Sequence, residues 1–489
     1  MLTYSFEDRG DATLYEYLYK QIKNDIKSNK LKPDEKLPSK RALAKHLDIS
    51  TITVENAYNQ LVAEGYIYSV PRSGFYVSEI QVDEFDADLI AEVNRKENND
   101  KADNININRE ISDKPFYEIE DIEKQTNYFI DLASNATLID NFPFSIWSKL
   151  MRDTMSNNKK ELMTRSPSPG VYRLRSAIAK YLYEFRGMNV EPGQIVVGAG
   201  TEYLYGLIIQ LLGYDRIYGV EDPGYQKISR IYNSNNVNWV NIPLDNEGVD
   251  ISSLEKSSVD VLHITPSHHF PTGIVTPITR RYELLSWAGK SNNRYILEDD
   301  YDSEFRLIGR PIPPLQSIDT GEKVIYMNTF SKSLTSTIRI SYMVLPRNLM
   351  EKYNKELSFY SCTVSNFEQY TLAKFIEEEY FEKHINRMRT YYKNIRNAIL
   401  TSIKRKARKN KVRILEENSG LHFLLEVDTD LTDKELVKLA REKGINLSCL
   451  SQYYYDERNA KKSILVINYS GVAVDKIDEG VDRLFDIFN

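Results

Sequence analysis

At 489 residues the chain is longer than one ordinary hydrophobic core sustains, so two or more domains are expected. Hydrophobic content of 41% with 27% charged residues excludes a disordered or fibrous chain. No uninterrupted apolar run approaches the roughly 18 residues of a membrane-spanning helix, and the start MLTYSFEDRGD is too polar for a signal peptide, so a cytoplasmic protein is expected. The net charge of −6 is unevenly spread: residues 10–78 carry ten Lys/Arg against eight Asp/Glu, and residues 79–128 carry six against fifteen. The acidic total therefore does not exclude nucleic-acid binding by the first segment. Cys362 and Cys449 lie far apart without metal-ligand spacing and read as buried thiols.

In ATLYEYLYKQIKNDIKSN, Leu14, Leu18, Ile22 and Ile26 recur every four residues, the period of an amphipathic helix. Two prolines in LKPDEKLPS break it. Ser39 is placed to cap a short helix, SKRALAKHL, with Leu43 and Leu47 one turn apart. DIS forms a turn. Ser50 or Thr51 then opens a second helix through Val54, Ala57, Tyr58, Leu61 and Val62, which stops at Gly65. In YIYSVPRSGFYV apolar residues alternate on both sides of PRSG, a hairpin signal. Two helices around a tight turn, followed by a hairpin, make a winged helix with Arg72, Ser73 and Gly74 at the wing tip.

The run KLPSKRALAKHL…TVENAYNQLVAEGYI…RSGFYV resembles the GntR-type DNA-binding domain over nearly its whole length. The resemblance implies a double-stranded DNA operator as partner. Lys40 and Arg41 would pair with phosphates, the helix carrying Thr51 and Thr53 would enter the major groove, and the Arg72–Gly74 tip would reach a minor groove or backbone. That family often has arginine where Thr51 stands, so a bidentate guanine contact is lost here. Winged helices also serve as protein-docking modules, and that reading stays open.

Residues 79–128 are acidic and rich in Asn, with no sustained period beyond a trace of helix in DADLIAEVNRK, and read as a linker. Beyond them, WSKLMRDTM and YRLRSAIAKYLYEFRG read as helices, the second with Leu174, Ile178 and Leu182 on one face. QIVVGAGTEYLYGLIIQLLG reads as strand, glycine turn and helix, whose first amides suit an anion. NFEQYTLAKFIEEEYFEKHINRMRTYYKNIRNAIL is a long charged helical region. GLHFLLEV and ELVKLAREKGI suit a smaller α/β lobe at the C-terminal end.

The chemistry concentrates in residues 298–339, LEDDYDSEFRLIGRP to MNTFSKSLTSTIR. A short apolar run ends in carboxylates at Asp299, and a second ends in hydroxyls around Lys332, with Arg339 seven residues further on. Strand ends carrying a carboxylate, an amine, hydroxyls and a guanidinium are the set that pyridoxal phosphate chemistry requires. A lone lysine after a strand is ordinarily a solvated surface residue, and spacing alone does not name a cofactor.

Residues 129–489 are similar to the aminotransferase fold of pyridoxal-phosphate enzymes. The wording EDDYDSEFR…G.P.P.L…D…VIY..TFSK.L…R, joined to the winged helix, resembles the MocR-type transcriptional regulators. The resemblance implies a winged helix-turn-helix (10–78), a linker (79–128) and an α/β, type I pyridoxal-phosphate fold with a large domain and a smaller C-terminal lobe (129–489), which dimerises and senses an effector. Lys332 would form the Schiff base with pyridoxal 5'-phosphate, Asp299 would pair with the ring nitrogen and Tyr301 with the ring hydroxyl. Thr329, Ser331, Arg339 and the turn Gly200, Thr201 and Glu202 would hold the phosphate. The family often has glutamine at Glu202, and a carboxylate there is tolerable only if its backbone amide alone points inward. Tyr225 would lie near the cofactor, and His268, next to His269, would bond near the ring rather than bind metal.

Two departures bear on activity. Related proteins hold a substrate carboxylate with two basic residues; here Lys227 replaces an arginine, and Val466 stands near the other place. The resemblance then implies a regulator sensing pyridoxal phosphate itself, as in members that control vitamin B6 synthesis, with an amino acid such as γ-aminobutyrate as second choice. An active aminotransferase with a vestigial DNA module, and a cofactor-free structural dimer on DNA, are the rivals.

Overall fold

The computed structural model describes residues 2–4, 6, 13–28, 30–71, 73–78, 128–134, 137–307, 313–407, 412–417 and 420–488. The segment expected to be a linker, Tyr128 apart, and Arg72 of the expected wing tip lie outside the described residues. The chain divides into two compact units, Met1–Glu118 and Ile119–Asn489. Among the described residues no helix is long and apolar enough to cross a membrane.

The first unit holds α1 (Leu14–Lys27), α2 (Lys40–Leu47), α3 (Thr51–Ala63), β1 (Ile67–Val70) and β2 (Gly74–Val77). Its helix starts follow the chemistry of their caps. The Ser39 hydroxyl accepts the Ala42 amide and the Ser50 hydroxyl accepts the Thr53 amide, which supplies partners for otherwise unbonded first-turn donors. Asp48 turns the chain between α2 and α3 in the left-handed region at φ 52°, and Gly65 does so after α3 at φ 78°. β1 and β2 pair antiparallel, Ile67 opposite Val77 and Val70 opposite Gly74. Leu18, Ile22, Leu43, Val54, Ala57, Tyr58 and Leu61 are wholly buried in one core, each large aliphatic contributing about 1.5–3 kcal/mol of transfer free energy. Two expectations shift: Leu14, at an element end, is half-buried, and Val62 faces solvent, one position off the buried stripe of α3; Leu47 is half-buried and packs against the core.

The second unit is built on an eight-stranded sheet in the order β4-β11-β10-β9-β8-β5-β6-β7. These are β4 (Ile195–Gly198), β5 (Ile217–Asp222), β6 (Asn238–Asp245), β7 (Gly248–Val249), β8 (Val261–Ile264), β9 (Tyr295–Asp299), β10 (Val324–Thr329) and β11 (Ser341–Val344). The run β10-β9-β8-β5-β6 is parallel, while β11 runs antiparallel to both its neighbours. All residues of β4, β8, β10 and β11 are buried, as befits strands covered by helices on both faces. Helices Tyr172–Arg186, Thr201–Leu212 and Ile278–Gly289 provide such cover. Leu174, Ile178 and Leu182 are fully buried, as the spacing predicts.

The expected long helical region is two helices, Asn366–Glu377 and Tyr380–Lys406, parted at Glu379 by a left-handed φ of 61°. The C-terminal lobe carries an antiparallel sheet, β12 (Val412–Leu415), β13 (His422–Val427), β16 (Ile464–Asn468) and β15 (Ser448–Cys449) in that order. A short parallel pair, β3 (Ile130–Asp131) with β14 (Ile445–Asn446), ties the start of this unit to the same lobe. Cys449 is buried as expected, whereas Cys362 is half-buried.

Candidate functional site

The parallel strands all end on one side of the sheet, and there they deliver the polar residues of the 298–339 stretch. A cavity of about 490 Å³ opens at these ends. Its lining includes Asp299, Tyr301, Thr329, Ser331, Lys332 and Arg339, together with Thr201, Glu202, Tyr225 and Lys227. Residues 137 positions apart in sequence, Glu202 and Arg339, meet in it.

The acidic run is sorted by the alternation of an extended chain. Glu298 points away from the cavity and accepts the amides of Leu315 and Gln316 at 2.7 and 2.9 Å; burial lifts its carboxyl to about 7. Asp299 faces the cavity. Asp300 turns inward again to Arg186 at 2.6 Å, an ion pair almost wholly removed from water and joined by the hydroxyls of Tyr326 and Ser303. Tyr301 returns to the cavity, and its hydroxyl lies 3.2 Å from His268 Nδ1, which is itself 2.8 Å from Asp302. His268 therefore sits behind Tyr301, steadying it, and does not line the cavity. His269 is buried against Thr272 and near Glu221, and burial drives its imidazole down to about 3.

Asp299 is held on one oxygen only. Oδ2 accepts the Tyr205 hydroxyl at 2.6 Å and lies 3.8 Å from His263 Nε2, while Oδ1 is buried with no hydrogen-bond partner among the described residues. A carboxylate oxygen buried in this way is costly unless a donor meets it. Lys332 sits on the short helix Phe330–Ser333 that follows β10. Burial lowers its amine to about 8, against the opposing pull of Asp302 and Asp299, so about a tenth is neutral and nucleophilic at pH 7 and the larger part above pH 8. Thr329 caps this helix: its hydroxyl accepts the Ser331 amide at 3.1 Å and the Ser341 hydroxyl at 2.8 Å. The Ser331 hydroxyl is buried with no hydrogen-bond partner among the described residues.

Arg339 adopts a left-handed φ of 51°, an uncommon conformation for a residue with a side chain, which aims its guanidinium along the glycine turn. Gly200, also at positive φ, does not line the cavity but permits this approach, since a Cβ there would lie 2.7 Å from the guanidinium carbon. Glu202 departs from expectation. Its carboxylate, not only its amide, is in the cavity, with Oε1 paired to Lys227 and Oε2 to Arg339. Lys227 first and Arg339 after it hold that carboxyl below its ordinary range. Val466 is buried in an apolar wall with Leu424, Leu450 and Ile464, so no cation stands there.

Several lining residues carry no local sequence signal for this site. Tyr205 was legible in principle, four residues after Thr201 on one helix face. Glu221, whose carboxyl burial raises to about 8, is the last residue but one of β5. Tyr453 and Tyr455 arrive from the C-terminal lobe, fixed by backbone bonds: Gly224 N–H donates to the Tyr453 carbonyl (3.0 Å) and Tyr455 N–H to Asp222 (3.1 Å). With Tyr225 and Phe270 they form an aromatic rim.

On the first unit, Arg41, Thr51 and Ser73 are exposed. Lys40 is less available than expected, paired with Glu55 at 2.8 Å and lying over the Phe75 ring. The Thr53 hydroxyl bonds Ser50 at 2.8 Å as part of the cap. Gly74 opens β2 at φ 127°. Ile52, Asn56 and Asn59 also lie on the exposed side of α3, spaced one turn apart on one face.

The profile of the aminotransferase class I and II family matches residues 127–484, and that of the bacterial regulatory proteins of the gntR family matches residues 14–77. An uncharacterized HTH-type transcriptional regulator of Bacillus subtilis, YdeL, is 38% identical over 97% of this chain and 96% of its own. The chain belongs to the MocR-type transcriptional regulators. Similarity within this group extends to the probable rhizopine catabolism regulatory protein MocR of Rhizobium meliloti, 29% identical over 98% of this chain and 94% of its own. The pyridoxine biosynthesis regulator PdxR of Corynebacterium glutamicum is 29% identical over 89% of this chain and 88% of its own. The kynurenine aminotransferase of Pyrococcus horikoshii shares the fold, with a TM-score of 0.66 at 23% identity, covering 82% of this chain and 98% of that structure. The second unit of the regulator thus has the aminotransferase fold.

Proposed function

We propose that this regulator binds pyridoxal 5'-phosphate in the cavity of its aminotransferase-like unit and couples that binding to recognition of a DNA operator. The observation that carries the reading is Asp299: a buried carboxylate oxygen without a donor among the described residues, in the same cavity as the half-buried amine of Lys332. The residues fit the group. Lys332 would be its point of attachment, and Asp299 Oδ1 would meet the protonated ring nitrogen. Tyr301 would meet the ring hydroxyl. Arg339, the Ser331 hydroxyl and the amides at Thr201, where a twelve-residue helix begins, would hold the phosphate. Bound, the cofactor supplies a carbonyl that captures amines and a ring that accepts electrons. Tyr205 orients Asp299 through its hydroxyl, His268 holds Tyr301 in place, and the aromatic rim borders the opening.

Residues 10–78 would form the DNA-binding domain, 79–128 the linker and 129–489 the effector and dimerisation domain of a cytoplasmic homodimer. Support for a dimer lies in exposed apolar side chains that neighbouring segments bring together: Met163, Phe359, Tyr360 and Phe367. Arg165 bonds Ser361 and the Phe359 carbonyl, and Asn366 bonds the Glu161 and Thr164 carbonyls, so these residues form one face. Pyridoxal phosphate is favoured as the signal over an amino acid, because Lys227 is engaged by Glu202 and Val466, near the place of the second cation in related proteins, lies in an apolar wall.

The test is a titration of the full-length protein on DNA from upstream of its own gene, with and without pyridoxal phosphate at one fixed salt concentration. Specific binding that shifts with cofactor, and no longer shifts in Lys332→Ala, is the expected result. Only weak, salt-sensitive binding to any DNA, with steady transamination of an amino acid, would replace the sensor with an enzyme.

A further inference from the structure

We propose that Glu202 is the residue that sets which anions the cavity accepts: by holding Lys227 and Arg339 together, it admits one phosphate monoester and denies a binding place to the carboxylate of a free amino acid. This rests on the cofactor reading above and names the chemical class of effector that goes with it.

Among the described residues, the cavity is lined by three basic side chains of Lys or Arg type, Lys332, Lys227 and Arg339. Lys332 is the amine reserved for the cofactor. The other two are the cations on which an anionic ligand depends, and a single carboxylate engages both, one oxygen to each. Glu202 is the second residue of the helix Thr201–Leu212, so the free amides of the first turn favour its charged form as well. Its carboxyl lies below its ordinary range, which keeps it ionised at neutral pH.

The two cations are not affected alike. Arg339 presents a planar fork with five N–H donors, and Glu202 engages it through one terminal nitrogen, leaving donors for a phosphate. Its guanidinium is also backed by Gly200, where no side chain stands between them. A phosphate gains further partners from the Ser331 hydroxyl and the helix amides. Lys227 has only an ammonium, strongly hydrated and directed at Glu202. A ligand carboxylate recruits it by displacing another carboxylate, an exchange of like for like with little net gain. Val466 offers no alternative, being packed in an apolar wall. The cavity therefore recognises a phosphate and an aldehyde or amine, with no second anion.

The experiment measures equilibrium binding of pyridoxal 5'-phosphate and of pyridoxal, which lacks the phosphate, to the full-length protein, to Glu202→Gln and to Lys227→Gln. Thermal unfolding of each variant confirms that it is folded. At low salt, Glu202→Gln should bind pyridoxal phosphate roughly fivefold more tightly, given that about half of each cation is exposed, and Lys227→Gln should bind it more weakly, while pyridoxal affinity moves less than about twofold. The loaded proteins are then titrated with L-alanine and the cofactor absorbance is followed. A spectral response that appears in Glu202→Gln, is absent in the wild type and is abolished in the double variant with Lys227→Gln carries the proposal. Equal phosphate-ester affinity in wild type and Glu202→Gln, or an L-alanine response already present in the wild type, overturns it. If neither protein binds pyridoxal phosphate while both are folded, the cofactor reading itself fails and takes this inference with it.

Discussion

The two units of the chain present their chemistry in opposite ways. In the winged helix, candidate contacts such as Arg41, Thr51 and Asn56 stand exposed on elements whose boundaries a few neighbouring residues decide: Ser39 and Ser50 cap, Asp48 and Gly65 turn. In the aminotransferase-fold unit, the working groups line a cavity and come from strands far apart in sequence, from an inner end at Asp299 and Lys332 to half-exposed Glu202, Lys227 and the late tyrosines of the C-terminal lobe. A surface that meets a large charged polymer relies on accessible groups in register with its grooves. A pocket that captures a small aldehyde relies on burial, which neutralises an amine and leaves a carboxylate oxygen in want of a donor.

That contrast is breakable by mutation. The largest effect is expected from Lys332→Ala, which should abolish covalent capture of pyridoxal phosphate, read by borohydride reduction and mass spectrometry, while leaving cofactor-free DNA affinity unchanged. A loss of DNA affinity in that variant would mean the two units are not separable. Next comes Arg186→Met, which strands Asp300 in the interior; chemical denaturation should show the second unit losing about 3–5 kcal/mol. The winged-helix transition should not move. On the exposed side, Asn56→Ala should cost about 1–3 kcal/mol of specific DNA binding and nothing in cofactor affinity, as measured by paired titrations. Ser50→Ala should cost about 1 kcal/mol of winged-helix stability through the lost cap, seen in the melting of that unit.

The pH dependence distinguishes the units too. The Lys332 amine is lowered to about 8, so the neutral form that reacts is scarce well below that value and dominant above it. Cofactor capture should therefore accelerate with rising pH and level off above about 8. An unfolded lysine keeps its proton to about 10.4, so the unfolded chain binds more protons between these values and this residue's contribution to stability rises with pH across that window. Rates flat from pH 6 to 9 would show that burial does not set the amine.

Legibility from sequence follows the same division. The winged helix could be read almost whole, because its caps, turns and core spacing are local; the misplacements were Leu14 and Val62, both at edges of buried stripes. In the second unit, the strand-end motif gave Asp299, Tyr301 and Lys332, since alternation and strand termination are local as well. What it could not give were partners across the fold. That Glu202 grips both cations, that His268 supports Tyr301 from behind, and that Tyr453 and Tyr455 close the rim all depend on which distant strands and loops become neighbours.

The rim itself has a practical consequence. Its two sides are stitched by the Gly224 amide to the Tyr453 carbonyl, the Gln226 side-chain amide to the Gln452 carbonyl and the Tyr455 amide to Asp222, bonds made largely by backbone groups of residues 452, 453 and 455. The rings of Tyr453 and Tyr455 add packing to the same seam, against Phe270 and Trp239. Libraries that vary those two positions among aromatic residues can therefore retune which molecules enter while the backbone bonds and ring packing hold the opening, a ready starting point for turning this regulator into a reporter of other amines or aldehydes.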